Sequence, residues 1–218
     1  MQALANRLMI CGMHVHVGVE DPKHRIDLLN QIRYFWPHIL ALATSSPFWQ
    51  GRNTGLKSYR ISVFDELPRT GLPEKFDSFG EFERHARMLV DAGLVEDSSN
   101  IWWDVRLHGI FPTLEMRIAD ICTRMEDGIM IAAICAFLLA MLKRLRRENQ
   151  RWRVHSNMLV RENRWLAERY GYGDGLVNFG CGERVPYADL LEEIIALVCA
   201  DAQMVGCLVE VTRARDIV

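Results

Sequence analysis

Residues 9–18 read Met-Ile-Cys-Gly-Met-His-Val-His-Val-Gly, and from residue 13 onward they alternate. Met13, Val15 and Val17 point one way, and His14 and His16 point the other. A period of two across valines marks a strand with one apolar face. A second stretch, Thr113-Leu-Glu-Met-Arg-Ile-Ala-Asp120, follows the same rule. Leu114, Met116 and Ile118 share one face, while Glu115 and Arg117 share the other. If the two strands are neighbours, a single polar face carries two imidazoles, a carboxylate and a guanidinium.

Working outward, Asp21-Pro22 starts a helix, with proline near the first turn where its missing N–H costs little. Apolar residues at 26, 28, 29, 32, 35 and 36 continue it, and Pro37 interrupts or kinks it before Ile39 to Ala43. Residues 44–60 look like a long ordered loop punctuated by Pro47, Gly51, Asn53 and Gly55. Ser78 and Glu81 form a capping-box pattern at the head of a helix over 78–91. Trp102, Trp103 and Val105 suggest one further strand. Glu126 to Arg147 is a long helix ending in Lys143, Arg144, Arg146 and Arg147, a basic end that suits a helix C-terminus. A helix over 156–170, a glycine-rich turn region at 171–182 and a helix over 187–205 complete the chain. No internal repeat or low-complexity linker is present. Strands and helices do not alternate regularly enough for a doubly wound parallel sheet, so the fold class is α+β.

The composition narrows the function. Among 218 residues, half are hydrophobic, which excludes a disordered chain. The 26 basic and 28 acidic residues leave no excess of positive charge for a dedicated nucleic-acid binder. The longest apolar run, Ile129 to Leu142, has 14 residues, short of the roughly 20 that span a bilayer. It reads as a buried core helix, with no membrane partner. Met1 to Ile10 lacks the pattern of a signal peptide. Six cysteines without a C-x-x-C pair read as reduced packing residues of a cytoplasmic protein, not a zinc site.

Three constellations could carry chemistry. His14 and His16 share a strand face, flanked by Gly12 and Gly18, which permit close approach of a ligand. Two surface histidines would look the same. Glu115 and Arg117 could pair with a divalent cation and an anionic group, or form a plain ion pair. The loop Ser45 to Arg60 places Arg52, Ser58 and Arg60 among glycines and hydroxyls, which suits anion binding or a solvated surface. Arg106 could join it or simply end a strand. Gly171, Gly173 and Gly175 lack a following G-K-[ST], so no Walker loop is present. The basic run at 143–153 reads as a solvated helix end or a polyanion site.

Together, CGMHVHVG (11–18), SPFWQGRNTGLKSYR (46–60), WWDVR (102–106) and TLEMRIAD (113–120) resemble the glutamate–cysteine ligase type 2 family of carboxylate–amine ligases. GMHVH and the E-x-R strand also resemble two signature pieces of glutamine synthetase. The resemblance implies a glutamine-synthetase-like antiparallel sheet with helices packed on one face. It also implies ATP-dependent amide formation through an acyl phosphate, with Mg²⁺ and amino acid substrates. On that resemblance His14 and Glu115 are metal ligands, and His16 contacts ATP phosphate. Arg117 binds the acid or the transferred phosphoryl group, and Arg60 acts beside it as a catalytic residue. Arg52, Arg106 and Ser58 bind nucleotide or substrate. Family members begin with a longer segment carrying a G-V-E-E-E-F type strand, and no such run occurs here. Residues 1–218 therefore read as one partial catalytic domain, the C-terminal two-thirds of the family's, with an open sheet edge that a homodimer could cover. The alternatives are a non-catalytic remnant or interaction module, and a metal-dependent hydrolase using His14, His16 and Glu115.

Overall fold

The two alternating stretches are neighbours. The computed structural model describes residues 5–218; the first four, part of the stretch read for a signal peptide, lie outside the described residues. β1 (Val15–Gly18) and β6 (Val105–Leu107) flank β7 (Thr113–Met116), both antiparallel to it. The register stacks Val15, Met116 and Val105 in one rung, His16, Glu115 and Arg106 in the next, and Val17, Leu114 and Leu107 in the third. Opposed residues share a face, so the outer rungs turn to the core and the middle rung turns away from it.

Helices cover the apolar side. α1 (Pro22–Ile32) and α5 (Met125–Arg147) both contact this sheet. α1 is capped by Asp21, whose carboxylate accepts the Lys23 N–H at 2.8 Å. It ends before a 3₁₀ turn at Arg33–Phe35, and α2 (Trp36–Ala43) starts afresh with Pro37 in its first turn. There proline loses no hydrogen bond, so the chain is interrupted rather than one helix bent. α5 is long and apolar enough to cross a membrane by composition. Nine of its side chains, among them Met130, Ile134, Leu138 and Leu142, are buried within the protein. Each such aliphatic burial contributes about 1.5–3 kcal/mol.

Three stretches differ from the sequence reading. The supposed loop 44–60 contains a hairpin, β2 (Phe48–Trp49) with β3 (Arg52–Asn53), and leads into a short helix, α3 (Tyr59–Phe64). Gln50 and Gly51 both take positive φ, the turn that lets a two-residue hairpin close. Trp102 to Val105 is two strands. β5 (Trp102–Trp103) pairs in parallel with β4 (Thr70–Gly71), and the chain turns at Asp104 into β6. Asp104 serves both neighbours, donating its N–H to the Gly71 carbonyl and accepting the Arg117 N–H, each at 2.8 Å. The glycine-rich region holds a hairpin of β8 (Leu176–Asn178) and β9 (Glu183–Val185).

Further α-helices among the described residues are α4 (Phe79–Asp91), α6 (Asn157–Tyr170), α7 (Tyr187–Met204) and α8 (Leu208–Thr212). Ser78 caps α4 by accepting the Glu81 N–H, but Glu81 reaches back to the Asp77 N–H, one residue beyond the expected box. The basic end of α5 is not merely solvated, since Arg144 pairs with Asp201 and Arg146 with Asp27, each at 3.1 Å. Helices and small sheets make this an α+β fold.

Candidate functional site

The polar rung on the face of the β1–β7–β6 sheet turned away from the core gathers most of the expected residues. Glu115 is its centre, with a side chain only 3% exposed. Arg106 Nε donates to its Oε2 at 2.6 Å, and Arg117 Nη1 donates to its Oε1 at 2.5 Å. His14 Nδ1 lies 3.2 Å from Oε1, and His16 Nε2 lies 3.9 Å from the same oxygen. Both imidazoles are more than a third exposed, so the cluster has a charged floor and an open mouth.

Electrostatics follow from this packing. Burial alone would raise the Glu115 carboxyl, but hydrogen bonds from His14 and Arg106 and the charges of Arg106 and Arg117 outweigh it. The group is held well below the ordinary carboxylate range. Burial lowers the His16 imidazole against the opposing pull of Glu115, which keeps that ring neutral near pH 7. Two guanidiniums, Arg106 in the rung and Arg117 beside it, against one carboxylate leave the cluster net positive, an environment for an anion.

Arg106 and Arg117 are themselves fixed. Arg106 also donates to the carbonyls of Ser99 and Ile101. Arg117 lies over the Phe64 ring at 5.7 Å, and Arg60 lies over the same ring at 5.6 Å. Arg60 is buried, and donates to the carbonyls of Ile118 and Arg117 at 3.2 and 2.9 Å. Its place is therefore under the Arg117 backbone, not on the open face. Ser58 is fully buried and donates to Asp120 Oδ1 at 2.8 Å. Asp120 also accepts the Ser46 hydroxyl at 2.7 Å and the Ser45 N–H at 3.0 Å. Ser58 and Arg60 thus fasten the 45–60 segment to the end of β7. Arg52 is exposed on β3, and among the described residues it makes no hydrogen bond or ion pair with the cluster.

Two participants escaped the sequence reading. Asp120, the anchor just described, is buried, and burial raises its carboxyl. His108 stands at the end of β6, where His16, His108 and Glu115 each bring a ligand atom within 4.8 Å of the others. Its Nδ1 accepts the N–H groups of Ile110 and Phe111 at 3.2 and 3.0 Å. That assigns its proton to Nε2, making the ring a donor suited to an oxyanion rather than a metal ligand. Nothing in the run His-Gly-Ile-Phe-Pro marks it in advance.

The donor set also bears on magnesium. A carboxylate has about four lone-pair positions, and three partners already face Glu115. One oxygen position remains. A hard cation commonly takes one or two carboxylates and completes its shell with water and substrate phosphates. The cluster fits a cation carried in on phosphate oxygens, not a bare ion set beside two guanidiniums.

Comparison with known proteins places the chain in a family. The profile of glutamate–cysteine ligase family 2 (GCS2) matches residues 1–218. A protein of Rhodospirillum rubrum named "Putative glutamate--cysteine ligase 2" is 60% identical over 217 residues, covering 100% of this chain and 56% of that protein. Proteins of the same name from Jannaschia sp. and Ruegeria pomeroyi are 54% and 50% identical over 214 residues. These alignments cover 98% of this chain, and 57% and 56% of the two relatives. The chain spans little more than half the length of the curated relatives it matches.

Proposed function

The chain belongs to glutamate–cysteine ligase family 2, and we propose that its polar sheet face binds magnesium-ATP and joins a carboxylic acid to an amine through an acyl phosphate. The observation that carries this reading is the rung His16–Glu115–Arg106 with Arg117 beside it. It is a buried, ionised carboxylate held by two guanidiniums beneath open imidazoles. The names of the relatives suggest glutamate as the acid and cysteine as the amine.

A carboxylate acylates poorly until one oxygen becomes a phosphate leaving group. In the first step a carboxylate oxygen attacks the γ-phosphorus, the bond to the bridging oxygen breaks, and ADP leaves. In the second, the amine nitrogen attacks the acyl carbon, the carbon–oxygen bond to phosphate breaks, and the nitrogen loses a proton. Such transfers are catalysed chiefly by positioning and charge neutralisation. Arg117 neutralises the transferred phosphoryl group or the acid, and His16 contacts a phosphate oxygen. His14 and Glu115 would hold the magnesium ion, which when bound supplies charge neutralisation across the phosphates. Arg106 keeps Glu115 ionised and oriented. Arg60 and Ser58 act as positioning residues that fix the backbone around Arg117. A glutamine-synthetase-like sheet suits this reading, as does a cytoplasmic location, where ATP and free amino acids are at hand.

The test is ADP release by the purified chain with Mg²⁺, ATP, glutamate and cysteine. We expect turnover that needs both amino acids and disappears in His14→Ala. Hydrolysis of a substrate without ATP would replace the ligase by a metal hydrolase. A folded chain that binds no nucleotide would replace it by a non-catalytic remnant.

A further inference from the structure

We propose that Arg164 of α6, acting with Asp104, is a positioning residue that sets the Arg117 guanidinium for phosphoryl transfer. The inference rests on the acyl-phosphate reading above and adds what fixes the group that meets the transferred phosphoryl. Arg164 and Asp104 are both buried, and no step of that mechanism uses either. Arg164 Nε donates to Asp104 Oδ2 at 2.7 Å, and Nη2 donates to Asp104 Oδ1 at 3.1 Å. Its Nη1 and Nη2 also donate to Asp65 Oδ2 and Oδ1, at 2.6 and 2.9 Å. One guanidinium thus clamps two carboxylates from different segments, each by two hydrogen bonds.

Each carboxylate leads to Arg117 by its own path. Asp104 is where the chain passes from β5 to β6, and its carbonyl accepts the Arg117 N–H at 2.8 Å. It stands two residues before Arg106, so its place sets where β6 starts and which rung Arg106 enters. Asp65 follows α3 directly, next to Phe64, whose ring lies 5.7 Å from the Arg117 guanidinium. The clamp therefore holds the backbone of Arg117 and the ring that its charged group lies over. α6 adds a third hold through Glu168. Its carbonyl accepts the N–H groups of Lys57 and Ser58 at 2.8 and 3.1 Å, and its Oε1 accepts the Ser62 hydroxyl. Those contacts seat the start of α3, from which Arg60 donates to the Arg117 carbonyl at 2.9 Å.

The energetics favour direction over stability as the purpose of the clamp. Burying a guanidinium among carboxylates is costly, and a well-packed apolar group in the same volume often holds two elements as firmly. What an apolar group lacks is a planar fork whose hydrogen bonds fix orientation. Arg117 needs that precision, since a misplacement of about 1 Å near reacting atoms costs about a hundredfold in rate. His16 stands on β1, which rests on β7 and α5. Loosening the clamp therefore displaces Arg117 while the histidine side of the site keeps its support.

The experiment measures steady-state ADP release with Mg²⁺, ATP, glutamate and cysteine for the unaltered chain, Asp104→Asn, Arg164→Lys and the double variant. Asp104→Asn keeps shape and loses charge, whereas Arg164→Lys keeps charge and loses the fork. Val160→Ala, at a buried position on the same helix, loosens the packing of α6 without touching the clamp. Each is assayed where circular dichroism shows it folded. We expect kcat to fall about tenfold to a hundredfold in each clamp variant, with KM for ATP within about threefold of the unaltered chain. The double variant should be no worse than the poorer single one, because both break one link. Val160→Ala should lower Tm and keep kcat within about twofold. Should Arg164→Lys fail to fold, Asp104→Asn still decides the split, since it leaves Arg164 its two bonds to Asp65. If the clamp variants keep kcat, or lose no more of it than Val160→Ala does, the positioning role is wrong while the ligase reading stands. Losses that multiply in the double variant, or a rise in KM for ATP that carries the whole effect, would also overturn it. If the unaltered chain releases no ADP, the ligase reading falls and takes this inference with it.

Discussion

Replacing Glu115 by glutamine tests whether the polar rung is an ionic cluster or a chance meeting of side chains. The substitution keeps shape, so no cavity forms, and what changes is charge. Arg106 Nε at 2.6 Å and Arg117 Nη1 at 2.5 Å would lose their counter-charge, and the new amide would turn two hydrogens toward donors. Removing one partner of a buried pair costs about 3–5 kcal/mol. The exposed His14 and His16 admit water at the mouth, and Arg106 keeps its carbonyl partners, so the lower end, about 3 kcal/mol, is expected. The sign with pH is fixed. The native Glu115 carboxyl is depressed, so its contribution is complete above the unfolded value of about 4.3 and is lost as pH falls toward the native value. Urea unfolding of both proteins at pH 7 and at a series of lower pH values should show a gap of about 3 kcal/mol that closes with acid. A gap under about 1 kcal/mol at neutral pH, typical of a surface pair, or one that ignores pH, would refute the reasoning.

Other substitutions probe the scaffold beneath the rung. A Cβ on Gly12 would lie 2.3 Å from the Arg60 guanidinium, which is pinned by two carbonyls, so Gly12→Ala should cost about 1–3 kcal/mol and lower Tm. Asp120→Asn would leave at least one of Ser45 N–H, Ser46 and Ser58 without its acceptor. It should cost about 1–3 kcal/mol and speed proteolytic cleavage within residues 45–60. Arg164 of α6 donates to Asp104 and Asp65, and Arg164→Met should cost about 3–5 kcal/mol in denaturant unfolding. Adding Asp104→Asn should recover part of that loss, because it removes one of the acids left stranded by the loss of Arg164.

The alternation at 13–17 and 113–118 already contained the polar face, because a period of two sorts His16 and Glu115 from Val15 and Met116 without knowledge of their partners. The register that sets His16 against Glu115 and Arg106 was not legible, since pairing depends on the turn geometry and on Asp104 changing sheets. Arg60 and Ser58 read as ligand-binding because they are polar residues in a glycine-containing segment. Only the position of Asp120, from a distant strand end, turns them inward. His108 was invisible for the opposite reason, as a lone histidine in a turn carries no period. Its role comes from two backbone N–H groups that fix its ring. Arg164 and Glu168 of α6 are both buried against the strand switch at Asp104, a placement that the helix over 156–170 does not reveal by itself.

The central claim is that this face activates a carboxylate by phosphorylation, and one measurement tests it most directly. Glutamate labelled with ¹⁸O in its side-chain carboxylate is turned over with Mg²⁺, ATP and cysteine, and the released phosphate is analysed by mass spectrometry. An acyl phosphate transfers one labelled oxygen from the acid to each phosphate. Phosphate carrying one ¹⁸O per amide formed is the expected result, and ADP formation with unlabelled phosphate would contradict the account.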